Sequence, residues 1–436
     1  MYYALILEYS MNKFFLLLII LTIVVGFAYA DSTNRVRERL TPDEFIIMPF
    51  SDYWWSGTGE REKYFKDMYD CGFNVTHMCP PNEVPLAKKY NMKAQVYVRQ
   101  TDNSEDDNKT KAKRWTQKVV DEVGKENMDN IFFVYLQDEP TDDEKNIAKL
   151  SVYADAVREN CKCKPYINLL PIIAYPYGGY DEYLDKLIKE CSLEYISYDN
   201  YPFVVDNEEK EGWTNSNKNY CFNENSFYGN IEAVKAAADR NKIGFINIIQ
   251  SVEAFNWPEP DDYIINVQGW STLAYGGKGL SYYTYQTPNF GDYRNAPYDE
   301  YGMKSPTWRY VAHMNYAIHN IGAIYKNLKH INVFHVGFVP KGCKDKSSAI
   351  NIKNLSLKSV KGEANVVVGE FVDKDGKEYA MIVNKNPDYS VMISIEFNKG
   401  KNVYRINDKG AGEQVTFFYG EGTYLAPGHG VLLFAE

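Results

Sequence analysis

From residue 45 onward the chain alternates short apolar runs with longer stretches in which apolar residues return every three or four positions. Short runs rich in β-branched and aromatic residues predict strands, and the longer period predicts helices. The predicted strands are 45–49, 74–77, 93–98, 131–136, 165–170, 195–198, 244–249 and 279–285. Between the first two, residues 60–71 place Tyr64, Phe65, Met68 and Tyr69 on one helical face, and Gly72 stops the helix. Residues 109–126 predict a charged amphipathic helix ahead of the fourth strand. The last helix of the series has the sharpest start. Ser305 is its N-cap and Pro306 its first residue, and Val311, Met314, Ile318, Ile321, Tyr325 and Leu328 follow at helical spacing.

Eight strands joined by helical connections imply a parallel sheet with helices packed outside it. Residues 31–330 therefore predict an α/β fold, a (β/α)8 TIM barrel. An open doubly wound sheet is the alternative, but no glycine-rich dinucleotide fingerprint follows the first strand. After residue 330 the helical period stops. Strand-like runs at 333–339, 364–371, 379–383, 390–397, 402–406, 414–418 and 430–434 are separated by turns such as Asp373-Lys374-Asp375-Gly376. That spacing predicts a small all-β sandwich over residues 331–436.

The first thirty residues carry a different signal. Met11-Asn12-Lys13 is a short positive segment and Phe14 to Phe27 is apolar, and Ala28-Tyr29-Ala30 has the form of a cleavage site. Residues 1–30, with an alternative start at Met11, are expected to be a signal peptide. The mature chain is then secreted, extracellular or lumenal, with no integral membrane segment left after cleavage. Three acceptor triplets, at Asn74, Asn108 and Asn354, agree with export as a glycoprotein. In an oxidising compartment the 7 cysteines permit up to three disulfides, with Cys71–Cys79 and pairs among Cys161, Cys163, Cys191 and Cys221 as candidates.

Composition narrows the partners. A net charge of −10 leaves no cationic excess to neutralise phosphates, so nucleic acid and anionic membranes are not expected partners. Cys161-Lys162-Cys163 has no matching ligand pair at zinc spacing, and His313 and His319 do not share a helix face, so no metal site and no cofactor are expected. No G-x-S-x-G, P-loop or H-E-x-x-H motif occurs. Aromatics are abundant, at 15% with 37 Tyr and 7 Trp. Such rings fill cores and also stack on the apolar faces of sugars.

A TIM barrel carries its chemistry at the C-terminal ends of its strands. Those ends read Asp52-Tyr53-Trp54-Trp55, Arg99, Gln137-Asp138-Glu139-Pro140, Asn168, Asp199-Asn200-Tyr201, Gln250 with Glu253 beyond it, and Tyr285. Carboxylates, amides and rings in this arrangement fit a carbohydrate cleft, where polar groups bind hydroxyls. Glycosidic cleavage needs a protonated carboxyl and a second carboxylate. Glu139 is the candidate proton donor, because Asp138 and the barrel wall both raise its proton affinity. The expected substrate-binding set is Asp52, Trp54, Trp55, Asp138, Asn168, Tyr201, Gln250, Trp257 and Tyr285. Trp270 falls in a helical pattern and is expected in the core.

The triplet Asp138-Glu139-Pro140 resembles the Asn-Glu-Pro that carries the acid/base in clan A glycoside hydrolases, the superfamily of cellulases and β-galactosidases. The run Ala274-Tyr275-Gly276-Gly277-Lys278-Gly279-Leu280-Ser281-Tyr282-Tyr283 is similar to the eighth-strand approach of its β-galactosidase-like members. The resemblance implies a barrel, glycosidase activity and a glutamate nucleophile at the end of strand seven. Here that strand ends in Gln250. The second carboxylate then falls to Asp199 on strand six or to Glu253 in the next loop, or the site inverts and activates a water across a wider gap. A non-catalytic carbohydrate-binding barrel is the alternative function. Chitinase-like barrels also place a glutamate after strand four and a Tyr-Asp on strand six, as Tyr198-Asp199 does, but with an aspartate where this chain has Gln137.

Overall fold

The computed structural model describes residues 39–50, 61–206, 210–359, 361, 363–406, 410–415 and 423–436. The expected signal segment, and Asp52, Trp54 and Trp55, lie outside the described residues.

The eight predicted barrel strands form within two residues of their expected ends. They are β1 (Ile46–Phe50), β2 (Val75–Cys79), β3 (Lys93–Val96), β4 (Ile131–Asp138), β5 (Lys164–Leu169), β6 (Tyr195–Asp199), β10 (Gly244–Gln250) and β11 (Gly279–Tyr283). All their pairings are parallel, in the order β1-β11-β10-β6-β5-β4-β3-β2. The seam between β2 and β1 is closed by Asn74. Its backbone N–H donates to Ile47 O at 3.0 Å, and its Oδ1 accepts the Ile47 N–H at 2.9 Å. Its Nδ2 donates to Leu40 O and Phe45 O. The triplet at Asn74 is thus buried structure, while Asn108 and Asn354 are exposed.

The strands alternate as a barrel requires. Ile46, Met48, Val75, Phe133, Tyr135, Tyr166, Ile246 and Ile248 pack inside, and their neighbours face the helices. Gly279 sits inward where a Cβ would come 2.9 Å from Ile246 Cγ1 and 3.0 Å from Ile46 Cβ. Between strands run helices α1 (Arg61–Asp70), α2 (Val84–Lys89), α3 (Asn108–Val123), α4 (Glu144–Ala156), α5 (Tyr180–Cys191), α6 (Glu224–Asn241), α7 (Asp262–Ala274) and α8 (Pro306–Tyr325). Asp107, Asp143, Asn223, Asp261 and Ser305 cap five of them through their side chains. The loop after β6 carries a small antiparallel sheet of β7 (Phe203–Val204), β8 (Trp213–Asn215) and β9 (Cys221–Asn223).

The C-terminal region is antiparallel. One sheet runs β12-β14-β15-β20-β17-β18, from β12 (Lys329–Val336), β14 (Val366–Val372), β15 (Glu378–Asn384), β17 (Val403–Ile406), β18 (Gly412–Gln414) and β20 (Gly430–Ala435). The other holds β13 (Ile352–Ser359), β16 (Val391–Phe397) and β19 (Thr423–Leu425). Phe334, Val366, Val368, Ile382 and Leu433 of the first meet Leu355, Ile393, Ile395 and Phe397 of the second, as in a sandwich. The outer face of the larger sheet packs on α7, which is buried on nearly every side and so lacks an amphipathic stripe. Gly369 permits this approach, since a Cβ there would lie 1.9 Å from Ala274 O. Trp270 is buried at this junction, as its helical pattern implied.

The disulfide expectation is corrected. All seven cysteines are thiols. Several of the sulfurs face carbonyls, as with Cys71 and Trp308 O at 3.7 Å, or Cys163 and Cys161 O at 3.1 Å, and the Cys343 sulfur lies 3.7 Å from the Tyr275 hydroxyl. Sequence proximity did not bring the sulfurs together.

Candidate active site

Strands β4, β5 and β6 bring a carboxyl cluster to the C-terminal mouth of the barrel. The aim is set by an irregularity in β4, whose register against β5 shifts between Tyr135 and Gln137. Tyr135 packs inside and Leu136 outside, so strict alternation would turn Gln137 inward. The extra residue instead puts Asp138 opposite Asn168. Asn168 Nδ2 donates to Asp138 Oδ1 at 3.0 Å and to Asp199 Oδ1 at 2.8 Å. It bridges two strands' carboxylates.

The amide is held the right way round from below. Ser197 Oγ donates to Asn168 Oδ1 at 3.1 Å, and the Tyr166 hydroxyl lies 2.5 Å from Ser197 Oγ. Because the Ser197 proton is used on Asn168, Tyr166 donates to Ser197. This chain fixes the Asn168 NH2 toward the carboxylates. Tyr166 in turn stacks on Tyr135, with centroids 5.8 Å apart.

Glu139 follows with φ of 42°, in the left-handed region. Its N–H continues the ladder to Asn168 O at 2.8 Å. A non-glycine residue there costs about 1–2 kcal/mol, the kind of local strain that gathers at functional sites. The turn is pinned by Tyr183, whose hydroxyl donates to Pro140 O and accepts the Leu170 N–H, both at 3.0 Å.

The electrostatics couple the three acids. Asp199 is only 7% exposed. Burial first, then the Glu139 charge, pushes its carboxyl up to about 7, against the pull of Asn168 and Tyr201. Burial and the Asp138 charge also raise Glu139. Asp138 is raised by burial, opposed by the Asn168 amide. Asp138 and Glu139 remain open to solvent on the cleft floor, so their desolvation is partial. Like charges this close do not all ionise together near neutral pH, and the group titrates as a unit.

One wall of the mouth is aromatic. Tyr201 lies 4.8 Å from Trp257 and 5.2 Å from Tyr283, centroid to centroid. The apolar run of strand eight extends to Tyr285 in the sequence and does not mark Tyr283 as a cleft residue. The strand ends at Tyr283. Tyr285 is fully buried against Tyr64, Phe73 and Tyr298, away from the cleft.

Two other expected residues are engaged elsewhere. Gln250 is fully buried, and its amide grips Phe203, accepting from N at 3.1 Å and donating to O at 3.3 Å. It fastens the loop after β6. Glu253 is bound by Arg294 at 2.9 Å and by Asn295 Nδ2 at 2.6 Å. The structure thus brings Asp138, Glu139, Asn168, Asp199, Tyr201 and Trp257 together. A cavity of about 610 Å³ opens at the opposite, N-terminal end of the barrel, but Lys164 and Lys326 in its lining pair with Asp43 and Glu44.

No family model and no curated protein matches this sequence. Solved structures with a similar outline include a gamma-CGTase from alkalophilic Bacillus clarkii, at TM-score 0.48 and 10% identity, covering 91% of this chain and 71% of that one. An endo-beta-1,4-glucanase from Xanthomonas axonopodis pv. citri has TM-score 0.43 and 11% identity, covering 63% of this chain and 99% of that one. The catalytic domain of a chitinase from Pyrococcus furiosus has TM-score 0.40 and 12% identity, covering 64% and 95%.

Proposed function

We propose that this protein is an exported glycoside hydrolase in which Glu139 and Asp199 form the acid/base pair. The observation that carries the reading is the convergence of Asp138, Glu139 and Asp199 about Asn168 at the catalytic end of a TIM barrel. Export rests on the segment Met11 to Ala30.

The chemistry follows from one proton held by the pair. In the resting protein, the more deeply buried Asp199 carries it near neutral pH. A sugar seated in the cleft expels water from Glu139 and raises its proton affinity. The proton passes from Asp199 to Glu139, which gives it to the leaving oxygen as the glycosidic bond breaks. The ionised Asp199 takes a proton from the water that adds to the anomeric carbon, and the pair again holds one proton. Asp138, fixed by Asn168, offers hydrogen-bond acceptance to a substrate hydroxyl or N–H.

Glu139→Gln tests the assignment on any glycan that the parent protein cleaves. Loss of a general acid lowers kcat by about 10²–10⁴. Aryl glycosides with acidic leaving groups should lose far less than unactivated ones, since they need no proton. Equal losses on both, or undiminished turnover, contradict the role. Tight glycan binding by the parent without turnover of any substrate favours the non-catalytic reading.

A further inference from the structure

Beyond the carboxyl cluster, an aromatic surface continues outward along the rim. Tyr201 and Tyr283 meet Trp257, Trp257 meets Phe255 at 6.2 Å, Phe255 meets Tyr293 at 5.4 Å, and Tyr293 meets Phe290 at 5.4 Å. The Tyr283 and Tyr293 hydroxyls, 3.3 Å apart, tie the inner and outer parts. The outer rings are not core. Phe255 is 67% exposed and Phe290 47% exposed.

Phe255 is also held there at a cost. Its φ is 51°, an uncommon conformation for a bulky side chain. Its N–H donates to both carboxylate oxygens of Asp292, at 3.0 and 3.1 Å. Two residues earlier, Glu253 and Arg294 exchange backbone hydrogen bonds of 2.9 and 2.8 Å and add an ion pair. On the other side, the Val205 N–H donates to Asn256 O. Two neighbouring loops, those after β6 and β11, therefore clamp the turn that presents Phe255. A strained backbone fixed from several sides, whose effect is to expose a phenylalanine, is unfavourable for folding alone and points to a ligand.

We propose that Phe255, with Phe290 and Tyr293, is an outer sugar-binding subsite, so that the substrate is a glycan chain running from the carboxyl pair across the rim beside β10 and β11. This rests on the reading of the mouth as a carbohydrate cleft. Continuity of rings from Tyr201 to Phe290 gives one occupant a path from the acids to the exposed platform. The chemistry suits a neutral chain: apolar sugar faces stack on rings, while the Asp292 carboxylate beside Phe255 disfavours an anionic one, the Glu253 charge being matched by Arg294. Preorganising the platform removes the ordering cost that a free loop would bring to binding.

The test measures binding, so it does not depend on turnover. Glu139→Gln protein is titrated with gluco-, xylo-, manno- and chito-oligosaccharides from disaccharide to hexasaccharide, alone and with Phe255→Ala, Phe255→Trp or Asp292→Ala added. Affinity should rise with chain length. Phe255→Ala should remove about tenfold of the gain between short and long chains, equivalent to about 1.4 kcal/mol. Phe255→Trp should keep that gain, and Asp292→Ala should lose part of it. Tyr424→Ala, an exposed ring on β19, is the control that leaves binding unchanged. Affinity that does not grow beyond the disaccharide, or a Phe255→Ala loss independent of length, overturns the proposal. So does failure of the whole panel to bind. Concentration-dependent self-association that Phe255→Ala abolishes assigns the patch to a second copy and also overturns it. Length-dependent binding without hydrolysis by the parent keeps the subsite and removes the hydrolase reading.

Discussion

Replacing Asp199 by asparagine should make the protein more stable as the pH rises. The carboxyl moves from 3.8 to about 7 on folding, driven by burial and by the Glu139 charge. At about 1.4 kcal/mol per pH unit, the ionised form is about 4 kcal/mol costlier in the folded protein than in the unfolded chain. Below about pH 4 both states are protonated and nothing is lost. Between about pH 4 and about pH 7 the folded state binds the extra proton, so stability falls as the pH rises and then levels off. Asparagine keeps the shape and removes the titration. Urea unfolding of parent and variant side by side should show their difference widening in favour of the variant by about 2–3 kcal/mol from about pH 5 to about pH 8. Any constant offset from altered contacts to Asn168 or Tyr201 cancels in that slope. Parallel curves, or a parent that gains on the variant with pH, would refute the raised proton affinity of Asp199. In Glu139→Gln the same limb should move to lower pH, because a neighbouring negative charge is gone.

Other perturbations probe the supporting structure. Lys385→Met leaves Glu224 with hydrogen bonds from Thr214 and Asn365 but without its cation, where the two charged side chains are fully buried and 2.6 Å apart between α6 and the C-terminal sheet. It should destabilise by about 3–5 kcal/mol in thermal or denaturant unfolding, and adding Glu224→Gln should recover part of that. Asn74→Ala opens the β1–β2 seam and should cost about 2–4 kcal/mol, whereas Asn108→Gln and Asn354→Gln should stay within about 0.5 kcal/mol. Mass spectrometry of exported protein should find no glycan on Asn74. Gln250→Glu puts a carboxylate against the Phe203 carbonyl in a fully buried site. It should cost about 1–3 kcal/mol and raise no activity, and a rise in kcat would show that position to be catalytic.

Much of the architecture was legible because its signals are local. Strand parity and helical period are read from residues two to four positions apart. Ser305-Pro306, Asp107 and Asp143 act within one turn, so the strands and α8 appear nearly where the pattern puts them. The strand-end position of Glu139 and Asp199 follows from the same local pattern. The missed strand β13 has the opposite character: its residues are mostly half-exposed or exposed, and its register slips near Ile352.

The site itself was settled by contacts between distant residues. Period-two alternation carries no mark of the register shift in β4, which depends on pairing with β5 and turns Asp138 rather than Gln137 into the mouth. Gln250 reads as a strand-end amide, but Phe203, forty-seven positions away, takes both ends of it. Glu253 reads as a loop acid, but Arg294 pairs with it through both side chain and backbone, two residues before the Phe255 that Asp292 holds. Tyr283 and Tyr285 are the same residue type two positions apart, and only the end of β11 decides that one faces the cleft and the other the core. The sequence by itself determined the barrel, the sandwich and the acids available at the strand ends. Burial and hydrogen-bond partners across the fold decided which acids share a field and hold a proton, because both depend on neighbours that chain order does not specify.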